Sequence, residues 1–295
     1  MGIVSAPQAH PQARHAAGHG LAYGVAAQAD RPLVRNVGAA VSDASQRQIA
    51  GRGTPDADWQ AWPGLAALPP VTAAELAPRG RAIIVAPHPD DEVLACGGLL
   101  QLLHAQGTRT VLLAVTDGTA SHPGSDLLTP AALARLRPQE TIAAMQTLGL
   151  NHSTAPQIMR ARLPDGQVST HLDQLHTLLL QLLRPDDTVF VTWRQDGHPD
   201  HEACGLAAAL AARTCRARLV EMPVWSWHWA APGDPRLPWQ RACRLPLDDD
   251  TLRRKQQAVQ CFQTQLHDDP TTGHTAILPP HVLARLLHPY EIYFT

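Results

Sequence analysis

Short apolar runs alternate with segments of helical periodicity along most of the chain. The runs are rich in β-branched residues, as is typical of strands buried on both faces of a parallel sheet. Strands are predicted at 82–86, 110–116, 188–193, 218–222 and 290–294. Helices are predicted at 130–148, 170–183, 201–212 and 248–265. This alternation predicts an α/β fold, in which a single Rossmann-like domain has a mostly parallel sheet with helices on both faces.

The beginning of the chain differs from the rest in composition. Up to about residue 54 the sequence is rich in Ala, Gly, Gln and His and shows little periodicity. Trp59 and Trp62 are the first tryptophans of the chain, and we expect the ordered part to begin with them. We therefore expect a partly irregular N-terminal extension over residues 1–58 and one folded domain over residues 59–295.

Composition and charge narrow the class of protein. The chain has 295 residues, of which 44% are hydrophobic, and a net charge of −2, so it lacks the basic character of nucleic-acid-binding proteins. Five scattered cysteines without a C-x-x-C motif indicate free thiols in a reducing compartment. No apolar run approaches the ~18–20 residues of a membrane-spanning helix, and no signal-peptide core is evident. We expect a cytoplasmic protein that binds neither nucleic acid nor membrane; its oligomeric state is left open.

Histidine and acidic residues that could bind a metal or catalyse a reaction are concentrated where two predicted strands end. The first strand is followed by residues 87–92, Pro-His-Pro-Asp-Asp-Glu, whose prolines cannot continue a strand. The third strand is followed by residues 196–202, Asp-Gly-His-Pro-Asp-His-Glu. His-Pro-Asp thus occurs twice, each time at a strand-to-helix junction. Because ligand sites of open α/β sheets form beyond the carboxyl ends of strands, the two segments are expected to converge.

The grouped imidazoles and carboxylates favour a bound divalent cation. Neighbouring carboxylates repel one another, and a cation relieves that repulsion. Imidazole with carboxylate is a common ligand set for Zn²⁺, although another divalent first-row metal fits such nitrogen and oxygen ligands as well. For the first segment alone, a solvated acidic turn that caps a helix is the alternative. The two segments in matching contexts favour the metal site.

Three tryptophans and a histidine follow the predicted strand 218–222. The tryptophans stand at alternate positions from Trp225 to Trp229, with His228 among them. This spacing is compatible with a strand face, a hydrophobic lid on the core or the wall of a pocket. The position after a strand's carboxyl end favours the pocket, because aromatic side chains commonly line ligand sites and stack on sugars. Trp225 and His228 are therefore candidate substrate contacts.

The two motifs together resemble the PIG-L / LmbE-like family of zinc-dependent N-deacetylases. The likeness lies in Pro-His-Pro-Asp-Asp-Glu followed by a Gly-Gly pair and in the distal His-Pro-Asp-His, and it extends over about residues 59–295. It implies that the metal ligands are His88, Asp91 and His201, with Asp90 as the general base. Spacing alone does not decide which of the two aspartates is the ligand.

The resemblance also implies roles for residues beyond the ligand set. His198 would stabilise the oxyanion or act as an acid, with Asp200 oriented against it and favouring the protonated imidazole. Arg137, in an Arg-x-x-Glu segment, would contact substrate, the alternative being a surface ion pair with Glu140. Asp165, in a Leu-Pro-Asp-Gly segment, would bind a substrate hydroxyl, and turn stabilisation is equally compatible with this composition.

These residues predict a hydrolase that removes an N-acetyl or other N-acyl group from an amino-sugar-containing small molecule. One alternative is an amidase on the same scaffold that acts on a thiol- or sugar-conjugate amide. The other is a non-catalytic metal- or sugar-binding protein, which the complete set of catalytic residues argues against. A purely structural zinc site is disfavoured, because such sites have four Cys or His ligands.

Overall fold

A computed structural model describes residues 47–151 and 155–295. Seven strands form one sheet: β1 Ala82–Ala86, β2 Thr110–Ala114, β3 Gln157–Arg160, β4 Thr188–Thr192, β5 Arg218–Met222, β6 Ala242–Pro246 and β7 Tyr290–Phe294. Their order across the sheet is β3-β2-β1-β4-β5-β7-β6. The first five run parallel, and β7 is antiparallel to both β5 and β6. The predicted mostly parallel sheet is confirmed.

Helices connect the strands. They are α1 Asp56–Ala61, α2 Pro63–Ala67, α3 Ala73–Leu76, α4 Asp91–Leu94, α5 Gly97–Ala105, α6 Pro130–Thr147, α7 Leu172–Leu182, α8 Pro199–Cys215, α9 Ser226–Trp229, α10 Asp249–Val259, α11 Gln263–Leu266 and α12 Pro280–Leu283. Short 3₁₀ turns lie at Val168–His171 and Trp239–Arg241.

Two hydrophobic clusters cover the two faces of the sheet. Successive side chains of a strand point to opposite faces. Accordingly, Ile84 and Phe190 belong to one cluster, whereas Ile83 and Val189 belong to the other. Side chains from α4, α5, α6 and α10 complete the first cluster, and those from α7 and α8 complete the second. Helices thus lie on both faces, as predicted, and all five cysteines are free.

One predicted element and one of the alternatives left open by the sequence differ from the structure. The helix expected over 248–265 is interrupted between α10 and α11, where Phe262 leaves the helical conformation and its side chain is buried in the first cluster. The tryptophan-rich segment is the short helix α9 rather than a strand face. Its turn is fixed by Asp196, whose carboxylate accepts hydrogen bonds from the backbone N–H groups of Val224, Trp225 and Ser226.

A buried ion pair ties the start of α5 to the last strand. Glu291 accepts hydrogen bonds from the backbone N–H groups of Gly98 and Leu99 at 2.7 and 2.8 Å and from Nζ of Lys255 at 2.7 Å. Lys255 is the only lysine in the sequence and is completely buried. A Cβ atom on Gly98 would collide with Leu247. Glycine therefore lets the helix that follows the first motif approach its neighbours closely.

The described chain begins with a segment, residues 47–54, that packs against the domain. Thr54 donates its N–H to the carbonyl of His228 at 2.8 Å and its hydroxyl to the carbonyl of Ala230 at 2.6 Å. The predicted N-terminal extension falls largely on residues 1–46, which lie outside the described residues, and the boundary at residue 58 stays a prediction. Among the described residues, no helix has the length and apolar character that crossing a membrane requires.

Candidate active site

The two His-Pro-Asp segments meet beyond the carboxyl ends of β1 and β4, which are neighbours in the sheet. Nδ1 of His88 lies 3.3 Å from Nε2 of His201. Oδ2 of Asp91 lies 3.4 Å from the first of these atoms and 3.2 Å from the second. Ligands about 2.0–2.1 Å from a tetrahedral zinc ion are roughly 3.3–3.4 Å apart. The three predicted ligands therefore form a triangle that fits one face of such a coordination sphere.

Two other groupings of possible ligand atoms share His88. One combines it with His198 and His201, and the other with Asp165 and Asp200, with ligand atoms within 4.8 Å of one another. All three edges of the triangle with Asp91 are 3.2–3.4 Å, which is the ligand spacing around one tetrahedral zinc ion. The triangle therefore fits a single cation.

His201 is oriented by a buried carboxylate that sequence reasoning left without a role. Its Nδ1 donates to Oδ2 of Asp196 at 2.8 Å, and neither side chain is exposed. This hydrogen bond directs Nε2 at the triangle, where a bound metal would take the place of its proton, an arrangement common behind metal-ligating histidines. The available signal was an aspartate at the start of the second motif, five residues before the ligand.

Asp200 lies elsewhere than predicted. Its carboxylate accepts hydrogen bonds from the N–H groups of Gly166 and Val168 at 2.7 and 3.0 Å and lies 3.2 Å from Nε2 of His88. It contacts His198 through its backbone N–H, which donates to Nδ1 of that ring at 3.2 Å. The carboxylate is drawn away because two loop N–H groups need an acceptor. It therefore orients His88, much as Asp196 orients His201.

The protonated His198 expected from the sequence is consequently not favoured. Burial, together with the charges of His201 and His88, lowers the pKa of His198 to about 3. Because its Nδ1 accepts the backbone N–H, the neutral ring carries its proton on Nε2. His198 lines the cavity as a neutral hydrogen-bond donor.

Asp90 is held in a strained backbone conformation next to the triangle. Its φ is +135°, a region that costs a non-glycine residue about 1–3 kcal/mol. Its N–H donates to Glu92 at 2.9 Å, and Gln265 donates to the carbonyl of Pro89 just before it. Burial and the negative charges of Asp91 and Glu92 raise the pKa of Asp90 well above its usual value. A fixed carboxyl of raised pKa in the cavity wall is suited to accept a proton.

Arg137 reaches from α6 to the cavity with an unused hydrogen-bond donor. Its Nε donates to the hydroxyl of Thr264 at 3.3 Å, and Thr264 in turn donates to Glu140 at 2.8 Å, so the expected Arg137–Glu140 pair is bridged. Nη2 is buried and has no partner among the described residues. A Cβ atom on Gly118 would collide with the guanidinium, so glycine is required there.

The other predicted substrate contacts include Asp165 and Trp225. Asp165 accepts the N–H of Ala120 at 2.7 Å and lies 3.2 Å from Nε2 of His88, so both carboxylate oxygens are engaged within the protein. Trp225 lines the cavity, whereas Trp227 packs in the core, 4.9 Å from Trp59 between ring centroids. Only one of the three tryptophans of this segment therefore forms the cavity wall.

The cavity beside the triangle has a volume of about 220 Å³. Polar side chains of the two motifs form one part of its lining. An apolar wall forms another, with Leu94, Val224, Trp225, Ile277, Leu278, Val282 and Leu286. His228 and Arg285 also line it. The contribution of residues 277–286 was missed from the sequence, where this segment shows only an apolar pattern near the C-terminus.

Fold and site together are those of a metal-dependent hydrolase: a Rossmann-like sheet with two imidazoles and a carboxylate converging at its carboxyl edge. Residues 83–212 match the family model described as PIG-L: GlcNAc-PI de-N-acetylase. The resemblance seen in the two motifs is thereby confirmed. No curated protein sequence matches the chain significantly.

Several solved structures are similar to this chain. N,N′-diacetylchitobiose deacetylase from Pyrococcus horikoshii has 19% identity and a TM-score of 0.50, covering 65% of this chain and 72% of its own. A deacetylase of the teicoplanin biosynthetic pathway has 23% identity and a TM-score of 0.49, with coverage of 63% and 82%. A conserved protein from Thermus thermophilus has 25% identity and a TM-score of 0.45, with coverage of 63% and 79%. The Pyrococcus structure supports the fold.

Proposed function

We propose that this protein is a metal-dependent N-deacetylase that hydrolyses the acetamide of an N-acetylated amino-sugar compound. The observation that carries the proposal is the triangle of His88, Asp91 and His201 with the carboxyl of Asp90 beside it. The family description names an N-acetylglucosamine derivative as substrate, and the chitobiose deacetylase acts on another N-acetylated amino sugar by its name. Both support the amino-sugar class.

The metal would be held by the triangle, and we propose Zn²⁺ as the ion. The edges of 3.2–3.4 Å and the mixed nitrogen and oxygen donors fit it. A divalent cation bound there would make a water molecule more acidic and polarise the amide carbonyl. Asp200 and Asp196 fix the two imidazoles with their ligating nitrogen atoms directed at the same point.

Asp90 and His198 would carry the proton transfer and the charge stabilisation. Asp90 accepts the proton of the attacking water and delivers it to the leaving amine nitrogen, a role that its raised pKa and fixed backbone favour. His198 donates its Nε2–H to the oxygen that becomes negatively charged as the carbonyl is attacked. A neutral donor suffices for this, so no protonated imidazole is required.

Four side chains are proposed to contact the sugar. The free Nη2 of Arg137 would donate to a hydroxyl or carbonyl oxygen, and Trp225 offers an apolar face for stacking. Asp165 would accept a hydroxyl hydrogen bond through lone pairs left by Ala120 and His88. His228 would border the sugar without donating to it, because its Nδ1 and Nε2 lie 3.0 Å from Arg285 and Ala50.

Acetate release tests the proposal directly. Zinc-loaded protein is incubated with N-acetylglucosamine, N,N′-diacetylchitobiose and a thiol-conjugate amide, and Asp90→Ala serves as the inactive control. Acetate from an amino sugar is the expected result. Turnover of the thiol conjugate alone would support the amidase alternative. Binding without turnover of any amide by metal-loaded protein would contradict the enzymatic proposal.

The metal is tested separately. The protein is depleted with a chelator and reconstituted with Zn²⁺, Co²⁺ or Mn²⁺, and metal content and activity are measured for each. One equivalent of zinc with restored activity is expected, and His201→Ala should bind none. Restoration by another ion but not by zinc would replace zinc as the assigned metal.

A further inference from the structure

A buried guanidinium without a carboxylate partner lies in the wall of the same cavity. Arg285 follows α12, and only 4% of its surface is exposed. The same cavity is lined by Ile277, Leu278, Val282 and Leu286. Among the described residues, no carboxylate pairs with it, and the nearby Asp56 pairs instead with His288 at 2.9 Å. An unpaired buried charge is costly, so its presence needs an explanation.

Three of the five N–H groups of this guanidinium are used within the protein. Nη1 donates to the carbonyls of Arg52 and Thr54 at 3.1 and 2.7 Å. Nη2 donates to Nδ1 of His228 at 3.0 Å, so Nδ1 carries no proton. The proton of that ring is on Nε2, which donates to the carbonyl of Ala50. The guanidinium is therefore fixed from two sides.

The other two N–H groups, one on Nε and one on Nη2, have no partner in the described part of the chain. Nε remains accessible to solvent. A fixed guanidinium with two free donors, set in an apolar wall, has the geometry that binds a carboxylate or phosphate through paired hydrogen bonds.

The surrounding charge is also positive. His281 lies near enough to Arg52 and Arg285 that their charges, after burial, lower its pKa. Asp56 is the acid that acts on Arg285, and it is shared with His288. An anion in this part of the cavity would therefore meet more positive than negative side chains.

We propose that Arg285 is an anion anchor, which selects N-acetylated amino-sugar substrates that carry a carboxylate or phosphate group outside the acetylated ring. This rests on the proposed function and adds the substrate class. The apolar side chains around the guanidinium lower the local dielectric constant and strengthen its interaction with anionic oxygen.

Arg285 also has a purely structural use, because it holds the carbonyls of residues 52 and 54 against the domain. The two roles differ in what they change. Loss of a structural contact weakens every ligand alike, whereas loss of an anchor weakens anionic ligands only. The ratio of affinities for an anionic and a neutral ligand therefore separates them.

The ratio is measured by calorimetry on zinc-loaded Asp90→Ala protein, which binds substrate without hydrolysing it. The ligands are N-acetylglucosamine 1-phosphate, the carboxymethyl glycoside of N-acetylglucosamine and its neutral methyl glycoside. We expect at least one anionic ligand to bind about 10- to 100-fold more tightly than the neutral one. Adding Arg285→Gln should remove that preference and change the affinity for the methyl glycoside less than about twofold, whereas Arg285→Lys should keep part of it. The two anionic ligands show whether phosphate or carboxylate is preferred.

Thr54→Ala is the matched control. It removes the hydrogen bond from the hydroxyl to Ala230 but keeps the backbone carbonyls of residues 52 and 54 that accept from the guanidinium, so the affinity ratio should not change. Equal affinity for anionic and neutral ligands in the parent would overturn the anchor. So would a preference that persists in Arg285→Gln, since the anion would then bind elsewhere, for example at the metal. Because binding is read without turnover, failure to release acetate would count against the proposed function alone.

Discussion

The tripeptide His-Pro-Asp occurs twice in this protein, and the histidine and the aspartate have different roles in the two copies. In the first copy His88 belongs to the ligand triangle and Asp90 faces the cavity. In the second copy His198 faces the cavity and Asp200 is buried behind His88. A sequence motif with a fixed spacing thus does not by itself assign a ligand or a base.

The difference follows from where each helix begins. Helix α4 begins at Asp91, so Asp90 is its N-cap residue and takes the unusual φ of +135°. Helix α8 begins at Pro199, so His198 is the N-cap residue and Asp200 lies within the first turn. The two motifs are therefore offset by two residues relative to their helices. This offset turns Asp90 towards the cavity and Asp200 towards the loop at Gly166.

The largest effect is expected from Asp90→Asn. The amide cannot accept the proton of water, so kcat should fall by about 10²- to 10⁴-fold, as for other general bases. Bound metal should stay at one equivalent, because Asp90 is outside the triangle. Steady-state acetate release and metal analysis check both parts. Loss of the metal in this variant would show that Asp90 is a ligand and would reverse the roles of the two aspartates.

His198→Ala is expected to be nearly as severe. It removes one preformed donor to the oxyanion, which typically costs about 10²- to 10³-fold in kcat. KM and metal content should change little, in contrast with any variant of the triangle. The rate at saturating substrate measures kcat, and the zinc content of the purified variant shows whether the metal is kept. A metal-depleted His198→Ala protein would favour the three-histidine grouping over the triangle with Asp91.

Asp200→Asn should lower the affinity for the metal rather than impair proton transfer. Removal of the charge behind His88 should weaken metal binding by about 10- to 100-fold, as for other residues that orient ligands. With excess metal, kcat should return close to that of the parent. Titration of the chelator-treated protein with zinc measures the affinity. A loss of kcat that zinc does not restore would place Asp200 in catalysis, as the sequence alone suggested. Asp196→Asn is the matched control, because it removes the equivalent partner of His201.

The smallest effect concerns the glycines that follow the two motifs. A Cβ atom on Gly205 would lie 2.7 Å from the carbonyl oxygen of Thr192 and 2.8 Å from the backbone nitrogen of Arg194. Backbone cannot yield easily, so Gly205→Ala should lower the free energy of unfolding by about 1–3 kcal/mol. Gly98→Ala meets mainly the side chain of Leu247 and should cost less, since alanine also favours the helix by up to about 1 kcal/mol. Urea unfolding of both variants tests the order, and equal midpoints would contradict it.

Five of the seven strands and the convergence of the two motifs were predictable, because buried parallel strands leave continuous apolar runs and their carboxyl ends share one edge. The two edge strands, β3 and β6, were not predicted. The hydrogen-bond partners of Asp200 were not predictable, because the N–H groups of Gly166 and Val168 reach its carboxylate only through tertiary folding. The same holds for the cavity wall from residues 277–286. Local spacing identified the chemistry of the site but could not show which distant backbone groups compete for each side chain.

The ion pair of Lys255 with Glu291 has a practical consequence. Since no other lysine exists in the sequence, an amine-reactive reagent finds its one lysine side chain enclosed between α10 and β7. Covalent labelling of that amine requires the helix and the strand to separate. The rate of labelling at Lys255 therefore measures how often the interior between α10 and β7 opens in the protein without any substitution.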